Sequence, residues 1–174
     1  VNINDTGYSF PVINGEVEGE VEIDNVHLWN GLEDPYLYPV SFSLEKNGEE
    51  RDEIELKVGF RTIEIDSGKG FFLNGRSYPL RGVSRHQDRW GKGNAIDERD
   101  EDEDMDIILD SGANSMRLAH YQHSQHFYDL CDEKGLLVWA EIPFITVFME
   151  NGKENTLSQM KELVVQNIHH PSIF

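Results

Sequence analysis

The chain has 174 residues and a hydrophobic fraction of 38%, enough to build a core and too apolar for a disordered tail. Asp and Glu outnumber Lys and Arg by 33 to 15, giving a formal charge of −18 and an isoelectric point near 4.6. That field repels phosphate backbones and anionic lipid, so nucleic acid and membrane surfaces are poor partners and a neutral one, such as a sugar, is favoured.

Cys131 is the sole cysteine, which excludes an intrachain disulfide and a multi-cysteine zinc site. No run approaches the roughly 20 apolar residues that a membrane helix needs. Val1-Asn2-Ile3-Asn4 has no initiating Met and no basic-then-apolar leader, so the visible start is expected not to be the natural one. The compartment is left open, with the cytoplasm slightly favoured. Homo-oligomerisation is left open as well.

Residues 1–58 read as β-structure. Val17, Val21 and Ile23 alternate with Glu16, Glu18, Glu20 and Glu22, predicting a strand that Gly19 interrupts. Tyr38, Val40, Phe42 and Leu44 predict a second strand, Asn47-Gly48 a tight turn, and Ile54, Leu56 and Val58 the return strand. Short strands with tight turns predict part of an antiparallel sandwich, and a stretch this short falls well below the roughly 100 residues such a domain needs.

Residues 59–174 change in texture. Hairpins are expected over 62–66 and 71–74, then a buried strand over Tyr78–Val83. Helices are predicted over 98–110, 124–134 and 156–170, with strands over 114–118 and 136–140 between them. The third helix is expected to bury Leu157, Met160, Leu163, Val164 and Ile168. Strands alternating with helices over short links predict βα units and a parallel sheet, which leaves an open sheet and a barrel as alternatives. The acidic run from Asp97 to Asp106 reads as a solvated helix face.

Functional side chains of parallel α/β proteins sit just past the C-terminal strand ends. That rule selects His86 after the first strand, Arg117 and His120 around the end of the second, and Glu141 after the third. Imidazole, guanidinium and carboxylate on one rim suit hydroxyl-rich ligands. Plainer roles stand beside these: capping for His86 and His120, and a structural ion pair for Arg117 and Glu141. His120, His123 and His126 recur every third residue, but they span a loop and a helix start, so a three-histidine metal site is not expected. His169-His170 suits a negative helix end. Trp90 is a candidate for stacking on a sugar ring, whereas Trp139 is expected in the core. Neither a phosphate-binding glycine loop nor a Gly-x-Ser-x-Gly elbow is present.

Asn114-Ser115-Met116-Arg117-Leu118-Ala119-His120-Tyr121, with Phe127-Tyr128, Asp132, Gly135 and Leu136-Leu137-Val138-Trp139, resembles a signature segment of glycoside hydrolase family 2, the β-galactosidase and β-glucuronidase family. Gly82-Val83-Ser84-Arg85-His86-Gln87-Asp88 resembles a second, Trp29–Tyr38 a stretch of the preceding sandwich, and Val58-Gly59-Phe60-Arg61 the start of its barrel domain. The resemblance implies a multidomain β plus α/β chain: part of an immunoglobulin-like β-sandwich (1–58), then the first three βα units of a (β/α)8 TIM barrel (59–174). It implies a retaining exo-glycosidase acting on terminal non-reducing β-D-galactose, with a carbohydrate as partner.

In the family the acid/base Glu follows a segment like His169-His170-Pro171-Ser172-Ile173-Phe174 and the nucleophile lies further on. The resemblance therefore implies that neither catalytic carboxylate is in this chain. It makes His86 and His120 substrate-binding, Arg117 nucleophile-positioning and Glu141 site-bordering. No cofactor or metal ligand is expected: long β-galactosidases hold magnesium beyond the third strand, but Pro143-Phe144-Ile145-Thr146-Val147 offers no such ligand. Leu118, Gln122 and Ser84 depart from the usual small residue, Pro and Asn. Alternative readings are a β-glucuronidase or β-mannosidase of the same family, a non-catalytic carbohydrate-binding module, and a metal-dependent hydrolase on a similar barrel. The isolated chain is expected to be inactive and poorly stable.

Overall fold

A computed structural model describes residues 1–4 and 6–174. The N-terminal part is a four-stranded antiparallel sheet in the order β2-β1-β3-β4, from β1 (Asn2–Ile3), β2 (Thr6–Gly7), β3 (Tyr38–Lys46) and β4 (Glu49–Val58). Asn47 and Gly48 both take positive φ at the β3–β4 turn, as a two-residue hairpin turn of this type requires. The ladder shifts register between Leu44 and Glu45, a bulge absent from the alternation of the sequence.

The strand expected around Val17–Ile23 does not form; only an isolated bridge between Ile13 and Glu16 precedes it. Alternation alone cannot make a strand without a neighbour to accept its ladder. Here Gly19 packs instead against the Phe10 ring, where a Cβ would fall 2.2 Å from Cε1.

A three-stranded antiparallel sheet follows, β5 (Ile63–Asp66), β6 (Gly70–Leu73) and β7 (Arg76–Ser77). Then comes the parallel sheet: β8 (Gly82–Arg85), α1 (Glu98–Asp110), β9 (Ser115–Leu118), α2 (Gln125–Lys134), β10 (Leu137–Ala140) and α3 (Lys153–Gln166). β9 lies between β8 and β10. The first parallel strand starts at Gly82, later than expected: Tyr78 to Arg81 lead into it, and Asn114 holds that lead by accepting from the Arg81 N–H and donating to the Pro79 carbonyl.

A fourth strand also begins. Ile173 bridges Val138 in parallel, the Val138 N–H donates to the Ser172 carbonyl and the Phe174 N–H donates to the Val138 carbonyl. The sheet remains open among the described residues. One of its faces packs on α1 and α2 through Met105, Met116, Leu118, Phe127, Tyr128, Cys131 and Val138. Beneath the N-terminal strand ends, Leu137 meets Trp29, Phe71 and Leu73, and the Trp29 indole N–H donates to the Asp132 carbonyl across 2.8 Å. This second core joins the hairpins, the sandwich segment and α2.

α1 starts at a capping box in which Asp97 accepts from the Arg99 and Asp100 N–H groups and the Asp100 side chain accepts from the Asp97 N–H. α2 ends at Gly135, whose positive φ closes the helix against the Gly31 carbonyl. α3 starts three residues before its expected beginning and ends at Gln166, before the histidine pair. Of its expected apolar face only Leu163 is buried, while Leu157, Met160, Val164 and Ile168 stand exposed. Among the described residues no helix is long and apolar enough to cross a membrane.

Candidate functional site

Pleating sorts the strand residues into two faces. In register across the sheet, Val83, Met116 and Val138 point to the helices, and Ser84, Arg117 and Trp139 form the next rung on the opposite face. The chain segments past that rung carry His86, His120 and Glu141. The four expected residues do come together.

Arg117 grips Glu141 in a fork, with Nε 2.5 Å from Oε1 and Nη2 3.0 Å from Oε2. Nη2 also lies 2.8 Å from His120 Nδ1. Glu141 Oε2 lies 3.2 Å from the same nitrogen, so Nδ1 is held between a donor and an acceptor, and Nε2 is left to meet a ligand. The His86 ring stands edge-on to His120 at 5.1 Å between centroids. The Arg117 hydrogen bond holds the Glu141 carboxyl below the usual carboxylate range, working against burial, and Glu141 raises Arg117 in turn. Glu141 is thus an ionised, fixed acceptor and a poor proton donor. The ion pair expected as the plain reading of Arg117 and Glu141 is present, and it is what aims both groups at the mouth.

Trp139 departs from its expected place in the core. It shares the Arg117 rung, is 52% exposed, and donates its Nε1–H to Glu141 Oε1 across 3.1 Å. An all-apolar run hides this, because only one face of the strand packs on the helices.

Behind the mouth lies a buried network the sequence left unassigned. Arg85 points to the helices, donates Nε–H to Asp104 Oδ2 at 2.9 Å, and lies over the Phe127 ring at 3.8 Å. Its Nη1 donates to His123 Nδ1, and His123 Nε2 donates to the Ala119 carbonyl. Burial, reinforced by the Arg85 charge, lowers His123 to about 4, so this imidazole stays neutral. It backs the segment that carries His120. The acidic run is accordingly not just a solvated face: Asp100 and Glu101 are buried. Asp100 binds Lys92 and Arg89, which with its backbone bond from Asp97 hold its carboxyl down to about 2. Glu101 accepts from the Ser124 hydroxyl at the start of α2. This ties the segment after β8 to α1 and α2. Trp90, within that segment, is 98% exposed.

The three periodic histidines diverge to three partners: His120 to Arg117, His123 to Arg85 and His126 to Asp102. The expected role of His169-His170 at a helix end is also replaced. His170 is buried, with Nδ1 donating to Asp132 Oδ2 at 2.6 Å, while Asp132 Oδ1 accepts from the Ser172 N–H at 3.1 Å. Asp129, Asp132 and His170 bring ligand atoms within 4.8 Å of one another. Asp132 and His170 are already spent on each other and on the start of the fourth strand. The stretch 143–147 presents Phe144, Ile145 and Val147 to solvent and no carboxylate or imidazole, so its residues do not fit a magnesium ion.

The family model described as "Glycosyl hydrolases family 2" matches residues 2–61, and "Glycosyl hydrolases family 2, TIM barrel domain" matches residues 63–173. A β-glucuronidase of Bacteroides fragilis is 43% identical over 164 residues, which are 87% of this chain and 23% of that protein. A β-galactosidase of Thermoanaerobacter pseudethanolicus is 38% identical, covering 91% of this chain and 22% of its own length. Among solved structures, an FMN-binding β-glucuronidase of Faecalibacterium prausnitzii superposes with a TM-score of 0.81 at 50% identity, over 86% of this chain and 24% of that one. A putative β-galactosidase of Bacteroides fragilis gives 0.83 at 47%, over 86% and 22%. The chain thus spans less than a quarter of each of these proteins. Its fold is part of an immunoglobulin-like sandwich followed by the opening units of a TIM barrel, which decides barrel over open sheet. With both halves matched, in order and nearly end to end, the chain belongs to glycoside hydrolase family 2.

Proposed function

We propose that this chain supplies one wall of the terminal-sugar site of a retaining β-galactosidase, with His86 and His120 binding sugar hydroxyls, Arg117 positioning the nucleophile and Glu141 bordering the site. The division into 1–58 and 59–174 belongs to the same proposal. The reading is carried by the convergence of His86, Arg117, His120 and Glu141 at the C-terminal ends of adjacent parallel strands. Retaining chemistry needs two carboxyl groups about 5 Å apart, one of them protonated. Arg117 holds the Glu141 carboxyl low, which does not suit it to be that acid, and the reading that both reacting carboxyls lie in other segments rests on the family resemblance. His120 Nε2 and the imidazole of His86 supply hydrogen bonds, and Arg117 keeps unspent donors for a second carboxylate.

A neutral sugar is favoured because the guanidinium of Arg117 is paired with Glu141 and its remaining donors are assigned in this reading to the nucleophile rather than to a sugar carboxylate. A β-glucuronide is the second reading, supported by relatives of that name at 43% and 50% identity. The test is to assay the full-length protein against nitrophenyl β-galactoside, β-glucuronide and β-mannoside. The highest kcat/KM on the galactoside is expected. The highest on the glucuronide moves the assignment to the second reading, and hydrolysis of none of them refutes both.

A further inference from the structure

We infer that Trp139 is a positioning residue for this site, acting through Glu141; the inference rests on the mouth being the sugar site proposed above. Three observations carry it. Trp139, on β10, shares the rung of Arg117, and Glu141, one residue past the strand, is on the same side as both. The Trp139 indole donates to Glu141 Oε1 at 3.1 Å, the same oxygen that Arg117 Nε approaches at 2.5 Å. Its ring also stands edge-on to Phe174, 6.0 Å between centroids, at the start of the next strand.

The geometry gives Trp139 a task the ion pair cannot perform. The Arg117 fork fixes the plane of the Glu141 carboxylate relative to the guanidinium, but Arg117, Glu141 and His120, bonded to one another, can still swing as a group. A further donor from a rigid ring, carried on β10 and set edge-on to Phe174, ties that group to the strand. Arg117 Nη2 in turn orients His120 through Nδ1. Trp139 therefore reaches Arg117 and His120 by way of one carboxylate and has no need to touch sugar itself. Indole Nε1–H is a donor only and cannot turn to accept, which suits a group whose partner is a carboxylate oxygen.

The test is a double-mutant cycle in the full-length protein with W139F, which keeps a ring and removes the donor, and E141Q. W139F is expected to lower kcat/KM on the preferred nitrophenyl glycoside about tenfold, mostly in kcat with KM within about twofold, while the melting temperature moves by no more than about 2 °C. In the E141Q background the same change is expected to cost less than about twofold, because the group it acts through is already altered. Wild-type kinetics for W139F, or a full tenfold loss again in E141Q, overturns the inference. If W139F does not fold, Trp139→Tyr replaces it in the cycle, since it keeps the ring and displaces the donor; the same non-additivity is then required. A full-length protein without glycosidase activity defeats the underlying reading, whereas an active one with additive losses defeats only the role of Trp139.

Discussion

Asp132 offers the sharpest energetic test of how the barrel is held together. Its carboxylate is buried on α2 and accepts from His170 Nδ1 at 2.6 Å and from the Ser172 N–H at 3.1 Å, both partners being buried themselves. Asp132→Ala orphans both donors where water cannot replace the lost acceptor. At about 1–3 kcal/mol for each of the two buried groups left unpaired, the loss is about 2–6 kcal/mol. Asp132→Asn retains an oxygen for Ser172 and costs about 1–2 kcal/mol. At about 2–4 °C per kcal/mol for a domain of this size, Asp132→Ala lowers the melting midpoint by about 10 °C. Calorimetry of the full-length protein reads this directly. A drop below about 2 °C for Asp132→Ala, or an equal drop for Asp132→Asn, would falsify the claim that this carboxylate clamps the start of the fourth strand to α2.

Other outcomes follow from the same contacts. His123, held near 4 in the folded protein against about 6.5 unfolded, leaves the unfolded chain with more bound protons between those values. Its contribution is fully present above about pH 6.5 and falls as pH drops toward 4, by about 3 kcal/mol at most; His123→Gln is expected to flatten that limb in urea titrations at pH 7 and 4.5, and an unchanged slope contradicts it. His120→Ala in the full-length protein is expected to lower kcat/KM by at least about tenfold through lost transition-state contacts, and unaltered kinetics removes it from the site. Gly135→Ala forces a positive φ on alanine and places Cβ 2.2 Å from the Gly31 carbonyl oxygen, so a loss of at least about 2 kcal/mol is expected in chemical denaturation. Purified alone, the 174 residues are expected to self-associate, because β8 has a free ladder edge and Leu157, Val164, Val165 and Ile168 stand exposed on and just beyond α3; a monodisperse, cooperatively melting monomer in light scattering and calorimetry contradicts this.

Local chemistry made much of this protein readable in one dimension. Asn47-Gly48 admits few backbone conformations, the Asp97 cap and the αL Gly135 punctuate helices, and the unbroken apolar run Leu136–Ala140 marks a strand with a buried face. The convergence of His86, Arg117, His120 and Glu141 was legible for a similar reason: in a parallel sheet every strand ends at the same rim, so position after a strand is already a position in space. What tertiary structure alone decided were the matters in which one segment depends on another. The alternation around Val17–Ile23 had no partner strand and formed none. Trp139 lies on the Arg117 side only because β9 sets its register, and the acidic run becomes a docking face only because Arg85, Arg89 and Lys92 are brought to it. His170 turns inward because Asp132, on a separate helix, waits there to accept its proton. Periodicity reports which face of an element is apolar; it carries no term for what the other face will meet, and in this chain that encounter decides which polar groups are surface and which belong to the site.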